Sequence, residues 1–400
     1  MFERKIAIGA VSFLRFRYVS VTRLLLSVGL LVGVMIVMAP GQSPASNEPG
    51  VSYGGIEISP EGVKAIALRA GRNEEVSGPK LVYSEIIRIM LWRTAGGEFA
   101  PRASADAAQA VSMLLNRLRR DYRVSPERTY IIGSSRLGAD HPADLEGEIR
   151  SATGLTLTFL DLATELQLCI AGTIPRLGRE GEASIDNRTT SALIEIGFAG
   201  VQGGYELLRH SKSGTAVFDT VSMSIPQGGM TYANEINRTV GENSDLPAFM
   251  RQVKASGAIN FRQALRREIE IKPGMLHRKR VFLTGGVVWA MATLLFPEDR
   301  QNFISITYED IVKFADKAAR SPREIATPNL SVIRDRKLRT DIEQEVEAVR
   351  TVFRPKQLIA SAELLRAAAE ELRWQDKKIW YFRFGHLGCI LSYIRLQIGQ

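Results

Sequence analysis

GGIEISPEGVKAIALR, residues 54–69, reads as a β-strand, a tight turn at Ser59-Pro60-Glu61-Gly62 and a returning strand. The stretch SALIEIGFAGVQGGYELLR, residues 191–209, repeats the pattern: a strand at Ser191–Ile196, a glycine-rich turn, then Tyr205–Arg209. Each hairpin carries one carboxylate late in an apolar strand, Glu57 between Ile56 and Ile58, Glu195 between Ile194 and Ile196. A buried carboxylate without a partner is costly, so both positions are candidates for function. Hairpins that open two halves in the same way describe a duplication. Two such lobes close a cleft whose turns can offer backbone N–H groups to phosphate oxygens.

Outward from the first hairpin, α/β units follow. Ser104–Asp121 places Val111, Leu114, Leu115 and Leu118 on one helical face, with Arg117, Arg119 and Arg120 at the dipole-favoured end. A strand at Thr129–Ile132 leads to a turn at Gly133-Ser134-Ser135. Asp140 and Pro142 open a helix that Gly154 ends. Leu155–Leu160 is a strand and Ala163–Ala171 a helix. Between Gly172 and Arg188 the pattern lapses into Pro, Gly and charge, the internal boundary. The second half adds a strand at Thr215–Met223. Another, Arg280–Leu283, runs through Thr284-Gly285-Gly286 into an apolar helix, Val287–Leu295. Ile342, Val346, Val349 and Phe353 stripe a later helix. Gln357–Ala360 reads as a short strand before the helix Ala362–Arg373, and 378–396 as a terminal hairpin around Gly385–Gly388. The expected domains are a first lobe at 51–172, a second at 188–373 and a tail at 374–400.

Residues 1–45 stand apart. Leu24–Ala39 is a charge-free apolar run directly after Arg23, and residues 1–23 carry a net +4. At ~1.5 Å per residue the run spans roughly 24 Å, and adding Tyr18–Thr22 makes it long enough to cross a bilayer. It is either a signal-anchor helix or a secretory signal cleaved near Ser43-Pro44-Ala45, followed by a linker. Positive charge before the run favours an N-terminus in the cytoplasm and a body outside, anchored or exported, whereas a re-entrant or tail-like anchor would leave the body in the cytoplasm.

Composition sets outer limits. Of 400 residues 45% are apolar and 24% charged, as in a globular chain. The charge of +9, almost half of it before Leu24, is no nucleic-acid footprint, so no specific nucleic-acid partner is expected. Cys169 and Cys389 are far apart in sequence and His141, His210, His277 and His386 are scattered, which excludes disulfide and zinc frameworks.

The order of motifs resembles the exopolyphosphatase / guanosine pentaphosphate phosphatase (Ppx/GppA) family of the actin-like ATPase superfamily. GIEISPEG at 55–62 stands where that family has a DIGSNS-like turn, and EIGFAGVQGGYEL at 195–207 where it has DIGGGSTEL. The run 130–172 follows the rhythm of its TSALREA- and SGEEEA-like segments. SIPQGGMTYAN (224–234), LTGGVVWAMA (283–292) and FRPKQLIASAELLRAAAEEL (353–372) match later motifs. The resemblance covers roughly residues 55–373. It implies a duplicated ribonuclease-H-like, two-lobed α/β fold of actin/acetate-kinase type with a central cleft, here preceded by an N-terminal hydrophobic helix.

By the same resemblance, Glu165 would activate water and Glu57 and Glu195 would hold Mg²⁺. Ser134, Ser135, Arg136, Gly197, Gly285 and Gly286 would grip phosphate. The activity implied is release of terminal phosphate from polyphosphate or a (p)ppGpp-type nucleotide, in a homodimer. The chain also departs from the pattern. Both family aspartates are glutamates; Asp161-Leu162 replaces Ser-Gly, and only one of two paired glutamates survives. Gly138 stands where the family's arginine lies, with Arg136 two residues before it. Phe198 and Ala199 dilute the triple glycine. These losses support an alternative, a catalytically silent module that binds a phosphorylated ligand or docks a partner at the membrane through residues 24–39.

Overall fold

The computed structural model describes residues 50–399 apart from 72–78, 92–99, 138–143, 175–186 and 211–215. The signal or anchor segment, its linker and the Asp140–Pro142 helix start lie outside the described residues. No helix among the described residues is long and apolar enough to cross a membrane.

Two sheets carry the architecture. The first has the order β3-β2-β1-β4-β5, from β1 (Gly50–Ser59), β2 (Gly62–Gly71), β3 (Lys80–Ile87), β4 (Thr129–Gly133) and β5 (Leu157–Phe159). The second has the order β10-β11-β9-β6-β7-β8, from β6 (Ser191–Ile196), β7 (Val201–His210), β8 (Ala216–Ile225), β9 (Arg280–Thr284), β10 (Phe303–Ile306) and β11 (Lys378–Phe382). In each, an antiparallel meander is extended by parallel strands on the far side of its first strand: β1 pairs with β4, and β6 with β9. The duplication expected from the two hairpins is therefore present over five strands of each sheet, and β10, antiparallel to β11, has no counterpart in the first. β3 and β10 are additions to what the pattern implied.

Helices cover the sheets. The first lobe has α1 (Ala103–Tyr122), α2 (Leu145–Thr153) and α3 (Leu162–Thr173). The second has α4 (Gly229–Val240), α5 (Leu246–Ser256), α6 (Ile259–Ile271), α7 (Gly286–Leu295), α8 (Tyr308–Arg320), α9 (Arg336–Val352) and α10 (Pro355–Glu371). The α1 face with Val111, Leu114, Leu115 and Leu118 packs into a core with Ile56, Ile58 and Ile131. Burying such a side chain contributes about 1.5–3 kcal/mol, so these rows hold the helix to its sheet. In the second lobe α10 is central. Eleven of its residues are buried, from Leu358 to Ala369, and its alanines let neighbouring helices approach closely.

Two local expectations are corrected. Gln357–Ala360 is not a strand but the first turns of α10, where Pro355 occupies an opening position that needs no amide donor. The tail is not a hairpin. Lys378–Phe382 is β11, parallel to β9 and inside the second sheet, so that lobe extends past residue 373. Gly388–Gln397 is a helix, α11, whose Cys389, Ile390, Leu391 and Ile394 recur at helical spacing and are buried against Ile66, Leu68 and Ile132 of the first lobe. The chain thus returns to the lobe where it began.

Candidate functional site

The turn at 59–62 fixes a register that sets Glu57 opposite Lys64. Lys64 Nζ donates to Glu57 Oε1 at 2.6 Å and to the His386 carbonyl at 3.1 Å. Glu57 is 3% exposed and its Oε2 has no partner among the described residues. Burial pushes its carboxyl upward, and Lys64 offsets this only in part; the charges of Glu165 and Glu195 push the same way. Burial acts against charge on Lys64 too, but Glu57, Glu195 and Glu61 outweigh it and hold the ammonium protonated.

The end of β4 delivers Ser134, Ser135 and Arg136. Ser134 Oγ donates to Glu165 Oε1 at 2.8 Å and the Ser135 amide to Oε2 at 2.6 Å. Glu165 lies in the first turn of α3, where the helix dipole favours an anion. Asp161, one of the departures in sequence, caps that helix by accepting from the Thr164 amide at 2.9 Å. Arg136 reaches across the lobes: Nη1 lies 2.7 Å from Glu61 Oε1 and Nη2 2.9 Å from Glu195 Oε1. Burial pushes the Glu61 carboxyl upward, but Arg136 and Lys64 outweigh it and leave it below its ordinary value. For Glu195 burial wins over Arg136 and the carboxyl is raised.

In the second lobe Glu195 stands beside Thr284 of β9 and Gln202 of β7. Gln202 thus occupies the position of Lys64. The Gly197 amide donates to the Gly200 carbonyl at 3.0 Å. Gly285 has φ +102°, and a Cβ there would stand 2.3 Å from the Ile196 carbonyl oxygen, so only glycine fits. Phe198 packs on Gly286 and edge-to-face on Phe353, with ring centroids 5.3 Å apart.

A cavity of about 90 Å³ opens between these parts. Of the residues expected from sequence, Glu195, Gly197, Gly285 and Gly286 line it; Glu57, Ser134, Ser135, Arg136 and Glu165 do not. The hydroxyl of Ser134, the amides of Ser135 and Gly197, and two guanidinium nitrogens of Arg136 are already engaged within the protein. That argues against their expected role as direct phosphate ligands. Lys64, Arg88, Trp289 and His386 also line the cavity and were not singled out in sequence. Lys64 was within reach, since a lysine on an apolar strand, in register with Glu57 across a tight turn, is a cross-strand ion pair.

The expected metal role of Glu57 and Glu195 does not fit. Each is paired with a buried cation, and a divalent ion beside them would meet the charges of Lys64 and Arg136. Among the described residues no group of three or more His, Cys, Asp or Glu side chains is arranged to hold a metal ion.

No protein-family profile and no curated protein matches the sequence. Solved structures do. The Aquifex aeolicus member of the Ppx/GppA family is 14% identical with a TM-score of 0.54, over 88% of this chain and 100% of that one. An exopolyphosphatase-like protein is 13% identical with a TM-score of 0.58, over 88% and 99%. An exopolyphosphatase from Cytophaga hutchinsonii is 12% identical with a TM-score of 0.52, over 87% and 99%. The chain therefore has the two-lobed α/β fold of the Ppx/GppA structures, carried by a widely diverged sequence.

Proposed function

We propose that the protein is a Ppx/GppA-like phosphate-handling module whose cleft takes the terminal phosphoryl group of a condensed phosphate, either polyphosphate or a phosphorylated nucleotide. The observation that carries this reading is the cavity itself, where Lys64, Arg88 and the opening of α7 at Gly285-Gly286 meet. A helix N-terminus and side-chain cations together favour an anion. The pairing of Glu57 with Lys64 and of Glu195 with Arg136 supports binding without metal-assisted turnover. A second reading, hydrolysis with Glu165 orienting water, is favoured by one feature. Ser134 and Ser135 hold that carboxylate rigidly, close enough to Glu57 for its charge to be felt there.

Titration calorimetry with tripolyphosphate, run beside a phosphate-release assay with Mg²⁺ or with EDTA, separates the two. The binding reading expects heat of binding in EDTA and equal, background phosphate release from the wild type and Glu165→Gln. Release that needs Mg²⁺ and falls at least ~100-fold in Glu165→Gln would install the second reading. No binding under either condition would remove both.

A further inference from the structure

Most of the charged groups around the cleft are satisfied from within. Lys64 is held by Glu57 and the His386 carbonyl, and Arg136 by Glu61 and Glu195. Arg88, directly after β3, differs. Among the described residues it forms no ion pair and no hydrogen bond, and its Nε is buried without a partner. Its guanidinium lies against two aromatic side chains of the opposite lobe, 5.8 Å from the Phe198 ring centroid and 5.5 Å from that of Trp289. Such contacts fix the plane of a guanidinium and leave its N–H edge available.

The rest of the pocket explains what that edge faces. Trp289 is one turn into α7, the ten-residue helix that starts at Gly286, and Phe198 packs on Gly286. The two rings that hold Arg88 therefore belong to the same surface as the opening of α7, whose first amides have no intrahelical acceptor. Burial weakens the hold of Arg88 on its charge, and only Glu61 offsets this, so an added anion would be stabilising there. The volume, about 90 Å³, is several times the ~10–15 Å³ that one water needs, which leaves room for a phosphoryl group.

Building on the cleft reading above, we propose that Arg88 is the residue that recognises the ligand. One terminal phosphoryl group docks between the Arg88 fork and the amides that open α7, without a metal ion. Arg88 comes from the first lobe and α7 from the second, so the anion bridges the lobes. The phosphoryl is shared by an inorganic chain and a nucleotide, and only the chain beyond it differs.

The test is calorimetry in EDTA with tripolyphosphate, inorganic phosphate and ATP, on the full body of the protein. Arg88→Met is expected to weaken tripolyphosphate binding about 10- to 100-fold, the worth of lost charge-assisted hydrogen bonds. Arg88→Lys keeps the charge but not the fork, and is expected to fall between the two. Tripolyphosphate binding far tighter than ATP assigns the site to inorganic chains; equal affinities assign it to the shared phosphoryl alone. Circular dichroism of both variants checks folding, and if Arg88→Met does not fold, Arg88→Lys decides. Wild-type binding that neither variant changes overturns the role of Arg88 and leaves the cleft reading standing. A wild type that binds none of the three ligands overturns both.

Discussion

His386 lines the cleft while its own carbonyl accepts from Lys64. Burial first, then the charges of Lys64 and Arg88, depress its pKa from the ordinary 6.5 to about 3. The consequence for stability has a definite sign. Between pH 6.5 and 3 the unfolded chain takes up a proton at this residue and the native state does not. The imidazole's contribution is therefore complete above pH 6.5 and is lost as the pH falls. The slope from one such group is at most ~1.4 kcal/mol per pH unit. Urea unfolding of the wild type and His386→Gln at pH 7.5, 6.0 and 5.0 measures it. The wild type is expected to lose about 1–2 kcal/mol more than the variant by pH 5.0, whereas parallel losses would mean that His386 titrates normally. Burial likewise works against the charge of Arg88.

The β1–β2 hairpin shows how an element stores this chemistry. Lys64 and Glu57 face each other because Ser59 pairs with Gly62 and every step outward preserves that register. The pair was implicit in the quoted stretch, as was the matching hairpin of the second lobe. Lys64→Met leaves a buried carboxylate unpaired and is expected to cost about 3–5 kcal/mol in chemical denaturation. Glu57→Gln combined with Lys64→Met should recover most of that. A cost below ~1 kcal/mol for the single variant would show Glu57 simply taking up a proton. Other parts of the site were less legible, for physical reasons. Arg88 enters the cleft only because β3 pairs beside β2, and KLVYSEII mixes polar and apolar residues with no clear period. His386 arrives through the return of the chain to the first lobe, a long-range event with no local signal. GCILSYIRLQ alternates just enough to pass for a strand, yet it is packed as a helix. Glu165 was visible through the family resemblance, as the one surviving glutamate of a pair. Its engagement by Ser134 and Ser135 depends on contacts about 30 residues apart and was not.

Across the whole molecule the lobes meet in several places among the described residues, including Ile170 and Ile174 of the first lobe packed with Leu193 and Phe282 of the second, and two further links stand out. One is α11, which leaves the second sheet and packs on β1 and α3. There Gly172 and Gly388 approach so closely that a Cβ on Gly172 would stand 2.1 Å from the Gly388 carbonyl oxygen. That contact is apolar. The other is Arg136, which joins a first-lobe turn through Glu61 to a second-lobe strand through Glu195. Without its charge the two carboxylates repel each other, since each lies within the field of the other. Arg136→Met is therefore expected to speed hydrogen exchange at least ~10-fold in the turns 59–62 and 197–200 while α10 keeps its protection, a local opening rather than global unfolding. Arg136→Lys, which retains the charge but cannot fork to both acids, should fall between. If the turns stay as protected as in the wild type, closure rests on the apolar contacts of α3 and α11, and Arg136 only neutralises Glu61 and Glu195. If they open, an anion that bridges Arg88 and α7 should restore their protection in Arg136→Met. The ligand would then supply from inside the cleft the cross-lobe link that the Arg136 guanidinium supplies between Glu61 and Glu195.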